Sequence, residues 1–202
     1  MKNTLKITAL LLVFLLGISL FCSCKKDNEP SAPTYSAAEI NEYVRLGEYK
    51  NITVGAENNE SAPNVALWNK IVSNAEVLKY PEPAVEYYKV QAEHRYEYLA
   101  KEGSMSYDEL LASLGVTEAD ILDEARDYVK SDLVRLAIIE AEGLHLTDDE
   151  KTRLFDKYAD KFAELYGYSA EYVRKNLADE IYDAMQYDKM MEFLMLNNTQ
   201  EK

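Results

Sequence analysis

The sequence predicts an all-α protein: an elongated helical domain with long helical arms, preceded by a short extended or strand-like segment near the N-terminus. Three observations carry this. From residue 64 onward apolar residues recur at spacings of three and four, which puts them on one face of a helix. Ser or Thr stands three residues ahead of an acid at Ser106/Glu109, Thr117/Asp120 and Thr147/Glu150, the pattern of a capping box. The stretch Thr117 to Gly143 sustains its apolar face through Ile121/Leu122, Ala125, Tyr128/Val129, Leu133, Leu136 and Ile138/Ile139. A helix of about 25 residues is about 38 Å long at ~1.5 Å per residue. That length suggests an arm or a cradle.

In order, the chain reads as follows. Residues 1–23 form a leader: Lys2 and Lys6, then an apolar run from Ile7 to Leu20, too short for a comfortable membrane span. Residues 24–63 form a tether with a strand-like segment. Pro30 and Pro33 punctuate its polar start, Ala37 to Tyr43 can form a helical turn or two, and Tyr43 to Val54 is a short strand or hairpin. Residues 55–63 are a loop. Residues 64–202 form the helical domain. Its helices run over Val65–Val77, about Pro83 to Lys101, a short stretch ending at Leu114, and the long helix. Then follow Thr147 to Tyr166, a short helix from Ser169 to Asn176, and about Ala178 to Leu196. Gly103, Gly115 and Gly167 fall at helix ends, and Gly143 follows the last periodic residue of the long helix, where a left-handed residue often stops a helix. The polar tail 197–202 is expected to fray.

Phe21-Cys22-Ser23-Cys24 followed by Lys25-Lys26 resembles a bacterial lipoprotein signal, with Ser23 before a lipidated Cys24. The plainer alternative is an ordinary signal peptide with two incidental cysteines. Both cysteines of the chain lie here. Cleavage before Cys24 would therefore leave a fold without disulfides, thiolate metal sites or a cysteine nucleophile. A two- or three-chain anchor would hold the protein stably to a membrane. Removing 23 of the 202 residues leaves 179, enough for one sizeable core or a small domain plus arms. The two lysines lost take the formal charge from −14 to −16. Such a charge argues against nucleic acid and anionic lipid as partners.

Catalytic chemistry finds little support. His94 lies inside a helix beside Glu93, and His145 is flanked by leucines. Neither belongs to an HExxH pattern, has a second histidine four residues on or has a cysteine partner, so no metal or other cofactor is expected. The acidic pairs sit in first helical turns, where the helix dipole favours them. There is no GxSxG, Walker loop or GxGxxG. The unusual feature is aromatic: 16 tyrosines, recurring on helical faces. Tyrosine offers apolar area with a polar tip. Tyr87, Tyr88 and Tyr96 with the adaptable Met185, Met190 and Met191 are candidates for a peptide-binding face; the same residues serve equally as core filler.

Residues 81–196 resemble the C-terminal domain of bacterial trigger factor. The likeness is carried by GSMSYDELLASLGVTEADI (103–121), VKSDLVRLAIIEAEGLHLTDDE (129–150) and YGYSAEYVRKNL (166–177), in this order before a final helix. YVRLGEYKNITV (43–54) is similar to the strand-like start of trigger-factor-like lipoproteins. The resemblance implies a helical hairpin whose arms cradle unfolded chains. The chain departs from the family in having only residues 55–63 between Val54 and the helices, so an FKBP-type isomerase domain and a basic ribosome-binding domain are missing. The expectation is an ATP-independent holdase-type chaperone, not an enzyme. It would bind unfolded or nascent exported polypeptides at the extracytoplasmic face of a bacterial cell membrane, lipid-anchored, as a monomer or a homodimer. The alternatives are a peptidyl-prolyl isomerase relative and an interaction scaffold for one partner.

Overall fold

The computed structural model describes residues 30–54 and 63–200. The leader, Cys24 and most of the loop after Val54 lie outside the described residues. Among those described there are eight helices and four two-residue strands. The helices are α1 (Ala37–Tyr43), α2 (Pro63–Asn74), α3 (Glu82–Glu102), α4 (Tyr107–Leu114), α5 (Glu118–Glu142), α6 (Asp148–Tyr166), α7 (Ala170–Asn176) and α8 (Ala178–Leu196). The strands are β1 (Val44–Arg45), β2 (Thr53–Val54), β3 (Glu76–Val77) and β4 (Thr199–Gln200). The all-α expectation holds.

Capping boxes start four helices. Ser36, Ser106, Thr117 and Thr147 each accept from the backbone N–H three residues on. Glu39, Glu109, Asp120 and Glu150 reach back to the N-cap N–H, each at 2.8 Å. These pairs satisfy N–H groups that a helix start leaves orphaned. Gly115, Gly143 and Gly167 end α4, α5 and α6 at φ of 67°, 61° and 70°, a conformation that a side chain resists.

The chain divides into two compact units. Among the described residues the first comprises 30–47 and 75–137. Ala92, Tyr96 and Ala100 of α3 pack with Leu110 and Leu111 of α4 and Ile121 of α5. Ala125, Val129, Leu133 and Val134 continue the buried stripe of α5. The second unit comprises 48–54, 63–74 and 138–200. Its core takes Leu67, Trp68 and Ile71 from α2, Phe162 from α6, Val173 from α7, and Ile181, Met185, Met190 and Leu194 from α8.

Three local expectations are corrected. Tyr43 to Val54 does not form a hairpin: β1 pairs antiparallel with β3, and β2 pairs parallel with β4. The helix expected over 65–77 stops at Asn74; Ala75 turns inward, and Glu76–Val77 become β3, with Arg45 Nη1 on Glu76 Oε2 at 2.8 Å. The tail does not fray over 197–200. Asn198 accepts from Ile52 N–H at 2.7 Å and donates to the carbonyls of Tyr49 and Leu194. Asn51 N–H donates to the Asn197 carbonyl and Thr199 N–H to that of Ile52.

Asn198→Ala removes the side-chain partner of the Ile52 N–H and the Tyr49 carbonyl, so it is expected to cost about 1–3 kcal/mol, read as a drop in urea midpoint. A pH dependence is also expected. Glu150 is pulled down to about 2, first by the Lys189 ammonium and then by the Thr147 cap. A carboxylate lowered on folding stabilises the fold above its ordinary pKa and ceases to as pH falls through its folded value. The stability contributed by Glu150 is therefore lost between pH 4.5 and about 2. Lys189→Met should flatten that part of a urea-midpoint profile.

Candidate functional site

Polar and aromatic side chains form a layer between α3 and α5 in the first unit. Arg95 of α3 is buried and pairs through Nη2 with Glu124 Oε1 of α5. Tyr96 Oη donates to Glu124 Oε2 at 3.3 Å, and the Arg95 guanidinium lies 4.9 Å from the Tyr96 ring centroid. Two turns toward the N-terminus of α3, Tyr88 stacks on Tyr128 at 5.8 Å, with Tyr87 edge-on at 5.1 Å. Burial, and then the negative charge of Asp132, push the Tyr88 hydroxyl well above its ordinary pKa. Burial raises Tyr96 and Tyr128 as well. Such phenols stay protonated at neutral pH and act as hydrogen-bond donors, not as bases.

The structure places the sequence-predicted residues as follows. Tyr96 belongs to the first core, and Met185, Met190 and Met191 to the second. In this conformation these four offer no surface to an incoming chain. Tyr87 and Tyr88 keep part of their surface exposed. The six are thus split between the two units, three in each. Cys24 lies outside the described residues. His145 Nε2 contacts Glu140 Oε1 at 3.0 Å on the exposed surface. Among the described residues no group of three or more His, Cys, Asp or Glu is arranged to hold a metal. No described helix is long and apolar enough to cross a membrane.

The exposed apolar side chains gather elsewhere, at helix ends. In the second unit Leu165, 59% exposed, closes α6; Tyr168 and Tyr172, both exposed, follow across Gly167 with their rings 5.0 Å apart. In the first unit Tyr98 and Leu99 occupy the last turn of α3, and Met105 lies in the turn to α4. Leu99 stands seven residues beyond the buried Ala92, so it continues a buried stripe past its cover and is 39% exposed. The signal was present in the sequence as a leucine in the last turn before a glycine. It could not be read as exposed because Phe162 and Leu165 belong to the same stripe of α6, and only Phe162 is buried.

No family model, curated protein or solved structure matches the chain.

The Arg95–Glu124 pair gives a stability test. Arg95 is the buried partner, so removing Glu124 leaves its guanidinium uncompensated, and Glu124→Leu is expected to cost about 3–5 kcal/mol. Arg95→Met with Glu124→Leu should lose much less. Urea unfolding of the single variant and the double variant separates these outcomes.

Proposed function

We propose that this chain is a holdase-type chaperone, tethered through a lipid on Cys24 to the extracytoplasmic face of a bacterial membrane. It binds exported polypeptides while they are unfolded, without ATP and without catalysis. One observation carries the reading most directly. Large apolar and tyrosyl side chains stand exposed at helix ends, Leu165/Tyr168/Tyr172 in one unit and Tyr98/Leu99/Met105 in the other, on a chain of net charge −14. Such groups gain by covering apolar segments of another chain, at about 25 cal/mol per Å² removed from water. The charge keeps the protein soluble while they stand open. The resemblance of residues 81–196 to the trigger factor C-terminal domain points the same way.

The test is aggregation suppression by the full chain in nanodiscs, with two unrelated unfolding clients and no nucleotide, beside a proline-limited refolding reaction. Suppression of both clients without faster refolding is the expected result. Replacing Leu165, Tyr168 and Tyr172 by serine should raise the protein needed for equal suppression about tenfold, the effect of losing ~1.4 kcal/mol. Failure to suppress either client would overturn the reading, and faster refolding would restore the isomerase alternative.

A further inference from the structure

Helix α4 is held in the first unit by apolar contact. Its Leu110 and Leu111 pack with Ala92, Tyr96 and Ala100 of α3 and Ile121 of α5, and Tyr107 and Val116 lie against the same cluster. Its polar side chains are spent locally, Glu109 on the Ser106 cap and Ser113 on the Leu110 carbonyl. Among the described residues no side chain of α4 hydrogen-bonds or pairs with α3 or α5. Helix α7 of the second unit, of similar length, is fastened differently: Arg174 reaches Asp156 of α6 at 2.8 Å and Asp160 at 2.7 Å. Both connections of α4 turn through the left-handed region, Ser104 before it at φ 53° and Gly115 after it at 67°. Glycine rests there freely, whereas a serine is strained. A second cost of the packed state lies inside. The Tyr107 Oη is buried with no hydrogen-bond partner among the described residues. Burial, and then Glu118, Glu93 and Glu97, push this hydroxyl up to about 12, so at neutral pH it is a donor with nothing to donate to. Water would satisfy it.

We infer that α4 is a lid, poised by the Tyr107 hydroxyl, that swings about Ser104 and Gly115 as one piece while α3 and α5 stay packed. Opening uncovers Ala92, Ala100 and Ile121 along with the lid's own Leu110 and Leu111. It also returns the Tyr107 hydroxyl to water and releases Ser104 from its strained φ. The contacts that join α3 to α5 survive it, because Arg95 with Glu124 and Tyr88 with Tyr128 do not involve α4. A segment with few buried contacts opens at a smaller free-energy cost than the whole unit unfolds. The lid follows from packing; only its use, an apolar groove that appears on opening, rests on the chaperone reading.

Hydrogen–deuterium exchange of the full chain in nanodiscs tests this. After correction for intrinsic rates, amides 110–114 of α4 are expected to exchange about tenfold or more faster than the buried stretch 125–134 of α5. Their exchange should also respond far less to low urea, since lid opening exposes little surface. Tyr107→Phe keeps the ring and removes the orphaned hydroxyl, so α4 should exchange about tenfold more slowly. Gly115→Ala acts the other way. A Cβ there meets nothing within 4 Å, so its effect is the left-handed φ alone, and exchange of α4 should rise about fivefold or more. One rate and one urea dependence for α4 and α5 would mean that α4 leaves only when the unit unfolds, and overturns the lid. Fast exchange confined to residues 113 and 114 is fraying of the last turn and overturns it equally. Unchanged or faster exchange in Tyr107→Phe overturns the part given to that hydroxyl. Aggregation suppression separates the lid from its use. Tyr107→Phe should raise the protein needed for equal suppression. Separate opening of α4 with no suppression by the unaltered chain leaves the lid and overturns the chaperone reading, and suppression that Tyr107→Phe leaves untouched overturns the use given to the lid.

Discussion

Glu124 lies on the side of α5 that faces α3, where an isolated carboxylate would cost several kcal/mol to bury. Arg95 brings the compensating charge from α3, and the Tyr96 hydroxyl takes the second carboxylate oxygen. The arrangement fixes more than charge. Sliding α3 along α5 by one turn, about 5.4 Å, would part the buried guanidinium from its partner. Apolar packing tolerates small shifts far better than that. The Arg95–Glu124 contact therefore sets the register in which Tyr88 meets Tyr128 and Ala92 meets its core.

The helices and their ends were legible in the sequence because their causes are local. A Ser or Thr three residues before an acid satisfies orphan N–H groups within one turn, and a glycine after the last apolar position permits the left-handed stop. The strands were not legible as placed. Two-residue strands carry no periodic signal, and their partners are distant: Val44 pairs with Val77, and Thr53 with Thr199. The Asn198 side chain that ties the tail down resembles any polar terminal residue until Tyr49 and Ile52 are seen beside it. The division into two units was hidden for the same reason, since each unit gathers stretches far apart in the chain.

The candidate surface was legible in kind and not in place. An amphipathic pattern marks one face as apolar but says nothing about how far a neighbouring helix covers it. Met190 and Leu196 lie on the same helix, six residues apart; the first is buried in the second core and the second is 80% exposed. Tyrosine blurs the distinction further. Tyr96 and Tyr98 are two residues apart on α3, and the helix turns one into the core and the other into water. Exposure at helix ends is a property of where cover stops, and that depends on the lengths of the packed elements taken together.

The size of these surfaces constrains the kind of binding they support. Three apolar side chains that are already about half covered would contribute roughly 2–5 kcal/mol when a bound segment covers the rest, about half of the ~1.5–3 kcal/mol for full burial of each. Ordering an unfolded segment takes back about 2–5 kcal/mol or more. What remains corresponds to weak, rapidly exchanging contact at any single surface. A scaffold for one partner needs a larger, well-packed centre with anchors seated in pockets. A holdase is better served by several weak surfaces, each releasing its segment in time for folding.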